Sequence, residues 1–369
     1  MNGKLKILHI AKVGADKTKG VYVVVPEHII TQSYYAETFL LNVRDEVIEN
    51  IKNQRVYKDK SDLKAVYDSF GKPNIAVFHE VYVKEFPSVA AQLRSDGIPY
   101  IIVPHGSLTD VSQKKSGVKK AAANLLIFNR FIKNAEALQC LSQDEMDSTD
   151  ISIRKFVSPN GVYVPERLKT EFIQGEGMKF VYIGRLEYYY KGLDLLIEAA
   201  KICKAFLEKN NCSIYIYGPD KDGRYEHIKS LIEQNGVQSV VKLNHAVFGK
   251  EKEAELLNSD CFIQTSRSEG LPLGVLEALS RGLPCLVTYG TRFGEIVEKN
   301  DLGWACDAES GSIAAAVKKA YDERYTLINK SAKAVDYIKS HYEWSIVSSN
   351  TVNIYNDLVH KEKTITLDK

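Results

Sequence analysis

Short apolar runs rich in β-branched residues alternate with helix-length amphipathic stretches along most of the chain. No other feature constrains the fold as much. Strands of near-continuous apolar character are buried on both faces, which happens when helices cover both sides of a parallel sheet. The pattern predicts strands at 6–11, 75–79, 100–104 and 137–141 in the first half. In the second half it predicts them at 179–183, 213–217, 240–243, 261–265, 284–288 and 303–306. Helices are expected between them, among them 193–204, 225–234 and 250–257.

A chain of 369 residues can hold two such layers. The run 161–177 is polar, lacks periodicity and is bounded by glycines. It divides the chain into a first α/β domain at 1–162, a linker at 163–178 and a second α/β domain at 179–342. A last helix and polar tail occupy 343–369. With 49 basic and 47 acidic residues the net charge is +2, which gives no global case for nucleic-acid binding. No uncharged apolar run reaches the roughly 18 residues of a membrane-spanning helix. The N-terminus has too short an apolar core for a signal peptide and reads as a first strand. The six cysteines are scattered without a Cys-x-x-Cys pair, as expected of reduced thiols in a cytoplasmic protein.

Within this frame one stretch stands out, Ser266-Arg-Ser-Glu-Gly-Leu-Pro-Leu-Gly-Val-Leu-Glu277. It reads as the end of a strand, a loop with Gly and Pro, and the start of a helix. Two carboxylates, Glu269 and Glu277, stand on either side of the turn. Glu277, inside the helix, is suited to accept from a vicinal diol such as that of ribose. Gly270 after Glu269 lets backbone N–H groups approach a ligand closely. Solvated surface glutamates are the plain alternative.

Strand 179–183 runs into Gly184-Arg185, and Lys191 follows six residues later, just ahead of an amphipathic helix. An Arg fork and a mobile Lys at a strand's carboxyl end suit a diphosphate, although two solvated cations would look the same. In the first half His105 stands on a Pro/Gly corner after strand 100–104, and His79 ends strand 75–79. A histidine there can bond a sugar hydroxyl or stand near a reacting centre, although most lone histidines are structural. Gly20 opens a helix whose N-terminus could hold an anion, and Pro26 inside it predicts a kink or a late start. Residues 111–134 carry six cations and no acid, with an apolar stripe that includes Phe128 and Ile132. That is the pattern of a helix on anionic lipid, or of a core-facing helix with a solvated basic side.

Together these residues resemble the retaining glycosyltransferases of family 4, strongest over 183–297. The matching elements are Gly184-Arg185-Leu186, Lys191-Gly192-Leu193-Asp194, the 266–278 stretch, Gly282-x-Pro284, Pro104-His105-Gly106 and Pro159-Asn160-Gly161-Val162. Also similar are Asn134-Ala135, Ser142-x-x-Glu145 and the late Trp344. The resemblance implies the GT-B architecture: two Rossmann-like domains with a cleft between them, and a C-terminal helix crossing back to the first domain. It implies a UDP- or GDP-linked sugar as donor, held mainly by the second domain, and an acceptor held by the first.

On that resemblance Arg185 and Lys191 hold the diphosphate, and Glu277 binds the ribose. Glu269, Gly184 and the Gly270-Leu271-Pro272-Leu273 backbone meet the donor, and His105 stands near the donor sugar. Gly20 and His79 are further acceptor or loop candidates. Loop 13–20 departs from the paired glycines of many relatives.

The resemblance implies no cofactor and no metal, since Arg, Lys and a helix N-terminus supply the charge a divalent ion would otherwise give. The implied acceptor is a saccharide or lipid-linked saccharide, used in cell-surface polysaccharide or glycoconjugate synthesis. With stretch 111–134 this places the protein in the cytoplasm, peripheral at the inner membrane face. A glycosidase using Glu269 and Glu277 leaves Arg185 and Lys191 unexplained. A non-catalytic nucleotide-sugar-binding protein and a sugar-nucleotide epimerase are the remaining alternatives.

Overall fold

The computed structural model describes residues 3–16, 20–109, 128–172 and 177–365. The chain divides into two compact units, Met1–Gly161 with Trp344–Lys369, and Val162–Glu343. The first contains strands β1 (Lys6–Ala11), β2 (Glu37–Asn42), β3 (Gln54–Val56), β4 (Ile75–His79), β5 (Tyr100–Val103), β6 (Ala137–Cys140) and β7 (Lys155–Val157). The second contains β8 (Lys179–Ile183), β9 (Ser213–Tyr217), β10 (Val241–Asn244), β11 (Cys261–Gln264), β12 (Cys285–Thr288) and β13 (Gly303–Cys306).

The sheet orders are β3-β2-β1-β4-β5-β6-β7 and β10-β9-β8-β11-β12-β13. All pairs are parallel, with Ile7 beside Ile75 and Cys261 beside Phe180 where the order reverses. Each sheet is therefore doubly wound, with its switch point between β1 and β4 or between β8 and β11. In such sheets ligands bind outside the carboxyl ends of the strands at the switch point. β2, β3 and β7 escaped the sequence pattern. β3 and β7 have three residues each, too short to show a period.

The apolar pattern does the packing. Leu8, Ile10, Phe78, Ile102 and Leu138 lie on one face of the first sheet and are buried in one cluster with Phe86, Leu93 and Phe131. Burying each such side chain contributes roughly 1.5–3 kcal/mol. The second sheet is covered on both faces, by Leu193, Leu196 and Ile313 among others on one and by Leu276, Leu279 and Val297 on the other. All six cysteines are unpaired and buried.

Three expectations change. The helix Gly20–Gln32 starts at Gly20 and continues through Pro26, so it does not start late; the missing Pro26 N–H costs one intrahelical bond without ending the helix. The helix read at 193–204 is two, Leu193–Ile202 and Lys204–Lys209, meeting at Cys203.

The third concerns the stretch read as a linker, whose described residues belong to the second unit. Lys169 is buried there: its N–H donates to the Arg281 carbonyl (2.8 Å), and its Nζ donates to the Leu257 carbonyl (3.1 Å). Polarity there reflects satisfied backbone and side-chain bonds. Of the basic stretch 111–134, residues 111–127 lie outside the described residues. Its end forms the short helix Asn129–Lys133, with Phe128, Phe131 and Ile132 buried. Among the described residues no helix is long and apolar enough to cross a membrane.

The helix Trp344–Ile365 belongs to the first unit and packs on Gly20–Gln32. Thr31 and Ser348 share a hydroxyl bond of 2.6 Å. The Trp344 ring meets His28 edge-on at 4.9 Å. His9, His28 and His79 are all buried in this unit. Burial is the main cause that lowers all three, His9 to about 3, His28 to about 4 and His79 well below its usual value.

This packing has two measurable consequences. Gly192 has φ +65°, and a Cβ there would stand 1.9 Å from the Thr265 carbonyl oxygen. Gly192→Ala is expected to lower stability by at least about 2 kcal/mol. A urea midpoint equal to wild type would contradict this close approach. The second concerns pH. Above about pH 6.5 these histidines are neutral in both folded and unfolded chains, so they add no pH dependence. Below it the unfolded chain takes up protons that the folded one refuses until about pH 3–4, so stability falls with falling pH. Each contributes about 1.4 kcal/mol per pH unit in that window. Urea titrations at pH 7, 6 and 5 should show the loss, and an unchanged midpoint would mean the rings are not held neutral.

Candidate functional site

At the second switch point the chain leaves β8 through Gly184 and Arg185. The turn is tight: the Gly184 N–H donates to the Tyr217 carbonyl (3.0 Å), and a Cβ on Gly218 would lie 2.4 Å from the Gly184 oxygen. The buried Tyr182 hydroxyl donates to the Arg185 carbonyl (2.7 Å), fixing the backbone while the guanidinium points outward. The Arg185 side chain is 60% exposed and meets Glu187 at 3.2 Å. Glu187 also takes Arg224 at 3.0 Å.

Residues 187–192 form a compact turn, with the Lys191 N–H donating to the Glu187 carbonyl (3.2 Å) and the Gly192 N–H to that of Tyr189 (3.1 Å). Left-handed Gly192 then brings this loop against the end of β11, where the Thr265 hydroxyl donates to the Gly192 carbonyl (2.9 Å).

Lys191 and Glu269 thereby become neighbours. Glu269 Oε1 accepts from Lys191 Nζ (2.6 Å), the Ser266 hydroxyl (2.6 Å) and Gln264 Nε2 (3.0 Å). The pair is largely buried, at 17% and 12% side-chain exposure. The Glu269 N–H donates to the Gly290 carbonyl (3.1 Å). A Cβ on Gly290 would stand 2.3 Å from the Ser266 oxygen, so the loop after β12 supports the loop after β11 at van der Waals contact.

Arg267 does a job the sequence pattern did not reveal. Its two terminal nitrogens grip both oxygens of Asp194 at 2.7 Å, and its guanidinium lies 4.3 Å over the Tyr189 ring. It locks the loop after β8 to the loop after β11.

After Gly270, Leu271 and Pro272 the helix Leu273–Ser280 begins with no side-chain cap and no acidic residue in its first turn. Its first N–H groups are thus not claimed by side chains. A Cβ on Gly274 would press on Phe262 Cζ at 3.1 Å, so a glycine lets the helix start lie directly on β11. Glu277 sits one turn in, 36% exposed, and is ion-paired with Lys252 of the helix Gly249–Leu257. Lys252 was not foreseen either. Arg185, Lys191, Glu269, Gly184, Glu277 and Gly270–Leu273 thus all lie in loops or a helix beyond the carboxyl ends of β8 and β11.

In the first unit His79 ends β4, and His105 follows β5 on the corner Pro104-His105-Gly106-Ser107. His105 and Gly106 have φ +51° and +78°, and Glu80 after β4 has φ +79°. Such conformations cost of order 1–3 kcal/mol in a non-glycine residue and gather at functional sites. The corner is held by the Ser107 N–H donating to the Pro104 carbonyl (3.1 Å) and by buried Glu145, which accepts from the Gly106 and Leu141 N–H groups.

His79 Nδ1 lies 3.4 Å from His105 Nε2, and His79 Nε2 lies 3.0 Å from His9 Nδ1. Burial, then the neighbouring His28, pushes His105 below its usual value. Gly20 opens its helix elsewhere in this unit, with no acidic residue in the first turn. Among the described residues no group of three or more His, Cys, Asp or Glu converges as a metal site.

Comparison with known proteins bears on the family and the fold. Residues 165–341 match the model of the family described as glycosyl transferases group 1. A phosphatidylinositol N-acetylglucosaminyltransferase component of Arabidopsis thaliana is 24% identical over 228 residues, covering 59% of this chain and 48% of that protein. The GDP-mannose:cellobiosyl-diphosphopolyprenol alpha-mannosyltransferase of Xanthomonas oryzae pv. oryzae is 25% identical over 191 residues, covering 49% and 47%. These matches span about half the length of either relative.

Among solved structures, Anabaena HepE in complex with UDP superposes with a TM-score of 0.73 at 15% identity, over 96% of this chain and 100% of that one. At that identity the likeness establishes the fold, two Rossmann-like parallel α/β units of the GT-B architecture. The family model makes residues 165–341 a group 1 glycosyltransferase domain, carried in a chain of GT-B fold.

Proposed function

We propose that the protein is a retaining, metal-independent glycosyltransferase that moves a sugar from a UDP- or GDP-linked donor to a saccharide or lipid-linked saccharide. The observation that carries this reading is the second switch point. There Lys191 pairs with Glu269, Arg185 follows the carboxyl end of β8, and the helix Leu273–Ser280, which has no side-chain cap, follows the loop after β11. An anion near a helix N-terminus and two cations is stabilised by the cations' charge and by the helix dipole together.

A diphosphate carries about two negative charges where Glu269 carries one. At comparable distance it attracts Lys191 roughly twice as strongly. Lys191 is then drawn from the carboxylate to the phosphates, and Glu269 is released toward the sugar. As the sugar–phosphate bond breaks, negative charge grows on the leaving diphosphate. The two cations stabilise it in place, which is the electrostatic form of catalysis. Replacement on the same face of an oxocarbenium-like sugar gives retention.

Glu277 is suited to the ribose hydroxyls, with Lys252 holding its carboxylate ready. HepE is described with bound UDP, and the Xanthomonas relative by name uses GDP-mannose and a diphosphopolyprenol-linked saccharide. Both support a nucleotide sugar as donor, and the second supports a lipid-linked acceptor. Such an acceptor would bring the enzyme to the cytoplasmic membrane face, with stretch 111–134 the candidate contact.

The test is a screen of UDP- and GDP-sugars, in buffer containing EDTA, for thermal stabilisation and slow donor hydrolysis. NMR of the product anomer follows. Arg185→Ala and Lys191→Ala are each expected to cut turnover by about a hundredfold or more at saturating donor. Near-wild-type rates in both would sink the assignment. Glu277→Ala is expected to weaken donor binding by about 1.5–3 kcal/mol, seen as a rise in donor KM with turnover little changed. An unchanged KM would remove the ribose role.

A further inference from the structure

Three buried polar atoms of the first unit are left without a hydrogen-bond partner by the static geometry: His9 Nε2 and both ends of the Gln32 amide. They stand together, because the Gln32 side chain interacts with both the His9 ring and the Tyr355 hydroxyl. An unpaired buried donor or acceptor is costly, so the arrangement must be one that pairs all three. Nitrogen and oxygen of an amide are interchangeable in shape, and the network decides which faces where.

The network has a fixed end. The Ser158 carbonyl can only accept, and Gln139 Nε2 donates to it (3.2 Å). Gln139 therefore turns Oε1 to Tyr355, whose hydroxyl donates its only proton there (2.5 Å). Toward Gln32 the Tyr355 oxygen can then only accept, so Gln32 presents Nε2 to it and Oε1 to His9. His9 must donate from Nε2, which leaves its Nδ1 bare.

A neutral imidazole has one N–H, and burial keeps these rings neutral. His79 accordingly donates from Nε2 to His9 Nδ1 (3.0 Å) and offers bare Nδ1 to His105 Nε2–H (3.4 Å). The reverse order would set the Gln32 oxygen against a tyrosine oxygen with no proton to give.

We propose that Ser158, Gln139, Tyr355, Gln32, His9 and His79 form a single polarised file of hydrogen bonds that fixes His105 as the Nε2–H tautomer and presents its Nδ1 as a bare acceptor. His9, His79 and Gln32 are positioning residues. Tyr355 gives the C-terminal helix a part in the site, since that helix supplies the proton donor that orients the whole file. On the glycosyl-transfer reading, on which this last step rests, His105 accepts from a sugar hydroxyl instead of donating to a ring or carbonyl oxygen. The tautomer itself does not depend on that reading.

The test is long-range proton–nitrogen correlation on the full chain labelled with 15N-histidine, with signals assigned from single His→Gln variants. His9, His79 and His105 are all expected as Nε2–H with bare Nδ1, and His105 carrying its proton on Nδ1 would overturn the proposal. In Gln32→Met the acceptor for His9 is gone. The file is then free to reverse, and all three rings are expected to shift toward Nδ1–H, with a roughly tenfold loss of kcat/KM. An unmoved His105 signal in that variant would also overturn it. Should the variant not fold, the wild-type spectrum alone decides. The expected tautomers in a protein that transfers no sugar would support the file and count against the proposed function.

Discussion

The geometry of the second unit hangs on one backbone contact, the approach of left-handed Gly192 to the carbonyl of Thr265. The loop after β8 and the loop after β11 belong to neighbouring strands at a switch point, and nothing in strand pairing alone forces their side chains to meet. The glycine removes the Cβ that would hold the two loops apart. Once they touch, Lys191 falls within 2.6 Å of Glu269, and Arg267 reaches Asp194 with both nitrogens. A bidentate, half-buried Arg–carboxylate pair resists rearrangement far better than a surface ion pair. Lys191 and Glu269 therefore stand on a braced frame, as a preorganised electrostatic site requires.

The first unit solves a different problem, burying imidazoles without charging them. His9, His28 and His79 sit where a protonated ring would be expensive, so the fold is stable only while they stay neutral. Neutral rings are directional, each with one donor and one acceptor. Buried end to end, they pass an orientation along the file. A strained corner at His105 and Glu80 stands at one end, and Tyr355 of the last helix stands near the other. The file also reaches far along the chain, since Tyr355 of the last helix bonds Gln139 of β6 across 216 residues.

Much of this was legible in the sequence and some was not, for physical reasons. Buried parallel strands carry a local apolar signature, so β1, β4, β8, β9 and β13 could be placed to the residue, although β2, as long as β1 and nearly as buried, was missed. β3 and β7 exist only because a neighbour offers an unpaired edge, and no local signal marks them. The candidate site residues were legible because each lies at the end of a strand or in the loop or helix that follows one, where topology decides the location. Their partners were not. Lys252 meets Glu277 across 25 residues, and Arg267 meets Asp194 across 73. The tertiary path between such residues sets the pairing, and spacing carries no trace of it. Lys169 misled for the opposite reason: a polar residue in an aperiodic run reads as solvent-facing, yet its backbone and ammonium are satisfied inside.

The two cations of the proposed donor site are held very differently, and that difference assigns an order to their use. Arg185 is 60% exposed and meets Glu187 near the surface, an interaction of at most about 1 kcal/mol. Its release costs little, so it can meet an approaching anion early and steer it. Lys191 is gripped by a carboxylate that Ser266 and Gln264 also hold in place, largely away from water. Pulling it away would leave Glu269 charged and poorly paired, a penalty of several kcal/mol unless something replaces the ammonium. A diphosphate with a sugar attached brings both an anion for Lys191 and hydroxyl donors for Glu269. Sulfate brings the first without the second. On the proposed function, the Lys191–Glu269 pair would open at low cost only for a ligand that satisfies both partners, as a sugar nucleotide would and sulfate would not.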